Sequence, residues 1–153
     1  MEEFISDVKI IAAKDSDVFA KLSNLENLQQ FSHLIPEDSA LKDLKCDRDS
    51  VSFNINPVGD VKLAILDREP NKTIKFGVLQ APVAANFWIQ MVGKNDNETK
   101  LRLTLKAELP FMIKMMVGSK IKDGINRFAD LLAQLPYDSD NSLLDNSKLA
   151  ENG

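Results

Sequence analysis

Apolar and polar residues alternate with a period of two through most of this chain, and the pattern switches to a helical period near the C-terminal end. Residues 3–12 predict a first strand with Phe4, Val8 and Ile10 on one face. Asp15 or Ser16 is then placed to cap a short helix carrying Val18, Phe19 and Leu22. Asn24 interrupts that helix, and a second one carries Leu25, Leu28 and Phe31 until Pro36 stops it. From there strands dominate. "LKDLKC", residues 41–46, reads as a weak strand, and "VSFNI", residues 51–55, sets Val51, Phe53 and Ile55 against Ser52 and Asn54. "VKLAILDRE" sends Val61, Leu63 and Ile65 one way and Lys62 and Arg68 the other. Ile74, Phe76 and Val78 follow in phase, and then Phe87, Ile89 and Met91 oppose Asn86, Trp88 and Gln90. In the last strand Leu101, Leu103 and Leu105 oppose Lys100, Arg102, Thr104 and Lys106.

Strands with one apolar and one polar face, joined by short turns, predict an antiparallel sheet covered on one side only. The cover has to be helical. The longest helical pattern runs from Phe111 to Leu135, between Pro110 at its first turn and Pro136 past its end. Such a helix is about 37 Å long at 1.5 Å per residue, whereas a seven-residue strand reaches about 23 Å. It therefore extends along a curved sheet to the rim.

The two halves of this helix differ. Ile113, Val117, Ile121, Ile125, Phe128, Leu131, Leu132 and Leu135 fall within one arc of about 120°, the width of a core-facing stripe. Gly124 lies inside that arc, where its missing side chain admits another element or leaves room. Met112, Met115 and Met116 lie outside it; Phe111 joins them, and Gly118 follows as a candidate kink. Methionine adapts to varied apolar shapes. A collar of this kind belongs under a neighbouring loop such as "QAPVA", at the mouth of a pocket, or at a membrane or dimer contact.

Composition narrows the functional classes. The 153 residues, 44% hydrophobic and 27% charged, suit one globular domain. Residues 1–136 form it, and the polar, acidic residues 137–153 read as a disordered tail. A net charge of −4 lacks the basic footprint that nucleic acid requires. The acidic N-terminus does not read as a signal peptide, and no apolar run reaches the roughly 20 residues of a membrane span, so the expected location is the cytoplasm. Cys46 stands alone, which rules out an intramolecular disulfide. No cofactor is predicted: there is no Gly-rich phosphate loop, and one His with one Cys does not make a common zinc site. His33 follows Ser32, but adjacency in sequence is not a catalytic dyad. Glu37 with Asp38 and Asp47 with Asp49 flank turns, where solvated carboxylates are the ordinary outcome. No catalytic residue is predicted. Trp88 shares its face with two amides, a pocket wall if that face is concave and plain surface if it is convex.

The order of strand, two short helices, six strands and long helix resembles the helix-grip fold of the SRPBCC superfamily. Its members include START domains, Bet v 1 relatives and bacterial polyketide cyclase/dehydrase proteins, and the likeness is to uncharacterised bacterial members. It covers residues 1 to about 136 and rests on "DSDVFAKLSNLENLQQF", "VKLAILDREPNKTIKF" and "MIKMMVGSKIKDGINRFADLLAQL". The resemblance implies an α+β fold: a curved seven-stranded antiparallel sheet around the long helix, with two short helices after strand 1. It also implies a hydrophobic cavity between helix and sheet, hence binding or transport of a small lipid-like or polyketide-like ligand. The expected lining is Phe53, Ile65, Phe76, Leu103, Leu105, Val117, Ile121, Ile125 and Phe128, with Met116 and Trp88 nearer the opening. Each of these also suits a plain core. Two alternatives stand beside this: a cyclase or dehydratase with a titratable group inside the cavity, and an interaction module that pairs with a second copy through Met112, Met115 and Met116.

Overall fold

The computed structural model describes residues 2–29, 32, 41–55, 59–80 and 84–137, the side chains of Leu41, Ile55 and Gln80 excepted. Phe31, His33, Pro36, Glu37, Asp38 and most of "QAPVA" lie outside the described residues, as do residues 138–153.

The first predicted strand is two strands, β1 (Glu2–Ile5) and β2 (Lys9–Ile11), so among the described residues the antiparallel sheet has eight strands where seven were expected. Both pair with β8 (Glu98–Ala107). Ile5 lies opposite Thr104 and Lys9 opposite Leu101, so four steps along one strand match three along the other. One extra residue reverses every later side chain. Phe4 therefore packs on the core, Val8 and Ile10 are exposed against expectation, and Ile11 is buried in their place. Ser6 holds the break: its N–H donates to the Leu103 carbonyl and its Oγ accepts the Leu103 N–H, both at 2.9 Å.

Helix α1 (Asp15–Leu22) begins after Lys14 with no side-chain cap, so neither Asp15 nor Ser16 serves as one. Asp15 and Asp17 in its first turn and Lys21 in its last complement the helix dipole. Val18 and Leu22 are buried, as is Leu25 just ahead of the single turn α2 (Glu26–Gln29). Gln29 then clamps the edge strand β3 (Leu41–Cys46). Its amide donates to the Leu44 carbonyl at 3.1 Å, and its oxygen accepts the Cys46 N–H at 2.6 Å. A bulge between Lys42 and Lys45, with Asp43 at φ 58°, also breaks the regularity of that edge.

The remaining strands are β4 (Ser50–Ile55), β5 (Gly59–Glu69), β6 (Thr73–Gln80) and β7 (Ala85–Asn95), and the sheet runs β1-β8-β7-β6-β5-β4-β3 with β2 beside β8. A second irregularity, between Ile65 and Asp67, sets Arg68 opposite the fully buried Ile74. Arg68 is thus on the inner face, not the outer one its alternation suggests. There it donates to the Ser23 carbonyl at 2.8 Å and to Asp49 at 2.6 Å, tying the sheet to the helix pair.

Helix α3 (Phe111–Ala133) lies over β1, β2 and β8. Ile125, Ala129 and Leu132 are its buried residues. Gly124 instead faces open space, with nothing within 4 Å of where a Cβ would stand. The contact face is therefore rotated toward Ala129 relative to the predicted arc. Two ion pairs clasp the helix to the sheet edge, Glu2 with Lys114 at 2.8 Å and Lys9 with Asp130 at 2.7 Å. Past the helix, Tyr137 is buried and its hydroxyl donates to the Leu132 carbonyl at 2.6 Å. That residue belongs to the core, although the sequence grouped it with the tail.

Candidate functional site: the open end of the grip

Among the described residues the inner face of the sheet is mostly apolar, Arg68 being the main exception, and it is fully buried at one end and half-buried at the other. At the buried end Met91 pairs with Leu101 and Ile89 with Leu103, and all four are buried. One step further Phe87 pairs with Leu105, and both are half-buried. The same gradient runs along β6, from buried Ile74 and Phe76 to half-buried Val78. Leu63 and Ile65 of β5 and Phe53 of β4 are half-buried beside it. On α3, burial falls from Leu132, Ala129 and Ile125 to the half-buried Ile121, Val117 and Ile113. Three rings cross the interior at the transition: Phe76 to Phe87 at 5.7 Å and Phe87 to Phe128 at 6.3 Å, both tilted as aromatic quadrupoles prefer. They form a floor. Beyond it, apolar side chains point inward yet keep contact with solvent.

Six of the eleven predicted lining residues are half-buried, and all of them but Val117 pack against the core: Phe53, Ile65, Leu105, Val117, Ile121 and Phe128. Phe76, Leu103 and Ile125 also face inward, but they are buried in the packed part. Leu63, Val78 and Phe87 are likewise half-buried on the inner face, outside the expected lining. Their alternation marks them as inward, and only their depth along the sheet was unreadable. Met116 is 49% exposed and sits with Phe111, Met112 and Met115, which are 72%, 69% and 68% exposed.

Trp88 does not join the site. With Phe87, Ile89 and Met91 turned inward, Trp88 must point out, where it pairs with Lys75 and Thr104. The ammonium groups of Lys75 and Lys106 lie 5.8 and 5.7 Å from its ring, an outer-face cation–π arrangement. Gln90, on the same face, accepts hydrogen bonds from Arg102 at 3.0 Å and Thr104 at 2.8 Å. That face is turned away from the core.

Among the described residues, the titratable side chains at the inner face are largely tied down. Glu2 and Lys9 are held by their α3 partners; the Lys114 hydrogen bond lowers the Glu2 pKa, and the Asp130 hydrogen bond raises that of Lys9. Arg68 is paired with Asp49. Cys46, opposite Val51, has its thiol pushed up to about 11 by burial and, secondarily, by the neighbouring Asp47 charge. Asp47 serves the turn. It accepts the Ser50 hydroxyl at 2.8 Å and the backbone N–H groups of Asp49 and Ser50 at 3.0 and 2.7 Å, which lower its pKa. The Asp47/Asp49 pair is therefore a turn and an Arg68 anchor, not an acid–base pair. Among the described residues no group of three His, Cys, Asp or Glu side chains is placed to hold a metal, and no helix is long and apolar enough to cross a membrane.

The sequence matches no family model and no curated protein sequence. Solved structures match its fold. A point mutant of norcoclaurine synthase from Thalictrum flavum, in complex with a transition-state analogue, superposes with a TM-score of 0.66 at 15% identity, covering 87% of this chain and 92% of that one. A START superfamily protein from Mycobacterium smegmatis gives 0.59 at 14% identity, covering 88% and 99%. A conserved protein from Geobacillus kaustophilus gives 0.58 at 20% identity, covering 83% and 90%. The chain has the helix-grip fold of the Bet v 1-like and START proteins, as its element order predicts.

Proposed function

We propose that this protein binds a small hydrophobic ligand, lipid-like or polyketide-like, between the N-terminal half of α3 and the inner faces of β4 to β8. Phe53, Ile65, Leu105, Val117, Ile121 and Phe128 line the site, Phe76, Leu103 and Ile125 back it, and Met116 stands at the rim. The observation that carries this reading is the burial gradient: an apolar inner face packed to completion at one end and left half-buried at the other. Covering that end with an apolar molecule removes both surfaces from water, worth about 5 kcal/mol for each 200 Å² of apolar area. The helix-grip fold supports the reading, since its members often keep a hydrophobic cavity in this place.

Binding is favoured over acid–base catalysis. Of the inner-face titratable side chains described above, Glu2, Lys9 and Arg68 are engaged in ion pairs, and Cys46 keeps its proton to about 11. Norcoclaurine synthase shares the fold, but fold alone does not carry an activity over. The test is native mass spectrometry of protein purified from its own cells, alongside the Val117→Trp variant. A reproducible apolar adduct on the wild type, absent from Val117→Trp, is the expected result. An adduct retained by Val117→Trp contradicts the assigned site.

A further inference from the structure

The first two turns of α3 carry the largest exposed apolar group among the described residues, and ligand binding as proposed above uses only its rim. Phe111, Met112, Met115 and Met116 are 49–72% exposed and adjacent on one side of the helix. Farther along, lysines stand on either flank of that side. Met112, Met116 and Lys120 follow one another at i, i+4 and i+8, and Phe111, Met115, Ser119 and Lys122 form the neighbouring line. No acidic residue occurs from Phe111 to Lys122, in a chain whose net charge is −4. Lys114 is paired with Glu2, whereas among the described residues Lys120 and Lys122 have no hydrogen bond or ion pair. The first turn also lacks an acidic side chain, so the positive end of the helix dipole is uncompensated.

We infer that this helix tip docks on an anionic lipid surface, with the Phe111/Met112/Met115/Met116 collar entering the bilayer interface and Lys120 and Lys122 meeting the headgroups. The dimensions agree. Lys120 lies four residues past Met116 and eight past Met112, about 6 to 12 Å of helix, a range that overlaps the 5–10 Å to which interfacial apolar side chains are buried. The polarity agrees as well, because apolar anchors followed by free cations complement anionic lipid. A second copy of the chain is the poorer occupant: four side chains fall well short of the roughly 20–30 residues per partner that a stable interface engages. The inference rests on the proposed ligand site, because docking there would bring the open end of the grip to a bilayer.

Co-sedimentation with vesicles tests it, comparing phosphatidylcholine alone with a mixture of 70% phosphatidylcholine and 30% phosphatidylglycerol. The wild type is expected to bind the anionic vesicles at least tenfold more than the neutral ones. A Met112→Ser/Met115→Ser double variant and, separately, Lys120→Glu/Lys122→Glu should each lose about tenfold or more of that binding. These residues are exposed, and matched melting temperatures show that the fold is intact. Val117→Trp should still dock, so failure of the ligand site and failure of docking read out separately. The inference is overturned if the wild type does not sediment with anionic vesicles, or if both double variants bind as it does. A wild-type dimer that Met112→Ser/Met115→Ser converts to monomer also overturns it, making the collar an interface between copies.

Discussion

Cys46 shows how a side chain's surroundings set its chemistry. Facing inward from β3 and partly removed from water, it keeps its proton up to about pH 11. Its alkylation rate should rise about tenfold per pH unit between pH 8 and 10, and it should lag behind that of the unfolded chain; parallel iodoacetamide time courses with and without denaturant check this. The sign for stability follows. The folded pKa lies above the unfolded one, so the unfolded state loses the proton first, and the Cys46 contribution declines as pH rises from about 9 to about 11. Ser6 is a second case. Removing its hydroxyl leaves the buried Leu103 N–H without a partner, so Ser6→Ala should cost about 1–3 kcal/mol in urea unfolding. Neither role shows in the sequence, where Ser6 reads as an ordinary polar residue in an alternating strand. A bulge adds one residue with no compositional mark. For that reason Val8, Ile10 and Arg68 were assigned to the wrong face, while the long regular alternations of β7 and β8 were read correctly.

At the scale of elements, the sheet and α3 meet tightly at one end and loosely at the other, and substitutions should report the difference. Ile89→Ala, in the sealed part, should cost about 2–5 kcal/mol. Leu63→Ala, at the half-buried end, should cost about half as much or less, because less apolar area returns to water. Paired urea titrations decide this, and equal losses would mean that both ends are equally packed. The 3.6-residue period located α3 and most of its inward residues. It did not fix the helix's rotation within that broad arc, which only the packing against β1, β2 and β8 sets. Ala129, too small to register as a core residue, takes the centre, and Gly124 is left facing open space. Gly124→Ala should accordingly stabilise the protein by about 0.8–1 kcal/mol through helix propensity alone, seen as a higher urea midpoint.

Across the whole molecule, an antiparallel sheet buries the C-terminal half of one long helix, while the N-terminal half, clasped to β1 through Lys114 and Glu2, is only half-buried on its inner side. Element order made that architecture legible, since one-sided strands demand a cover and only one helix among the described residues is long enough. The candidate site was legible as a set of inward positions. Which of them lie at the open end depends on depth along the strands, which alternation does not encode. Trp88 remained undecided until the phase of β7 placed it outside, between two lysines. The central claim is that the open end holds an apolar ligand, and titration with a fluorescent fatty-acid analogue tests it most directly, using the wild type and Val117→Trp at matched fold stability. The account predicts one saturable site on the wild type and its loss on Val117→Trp. No saturable binding, or binding that Val117→Trp leaves intact, would contradict it.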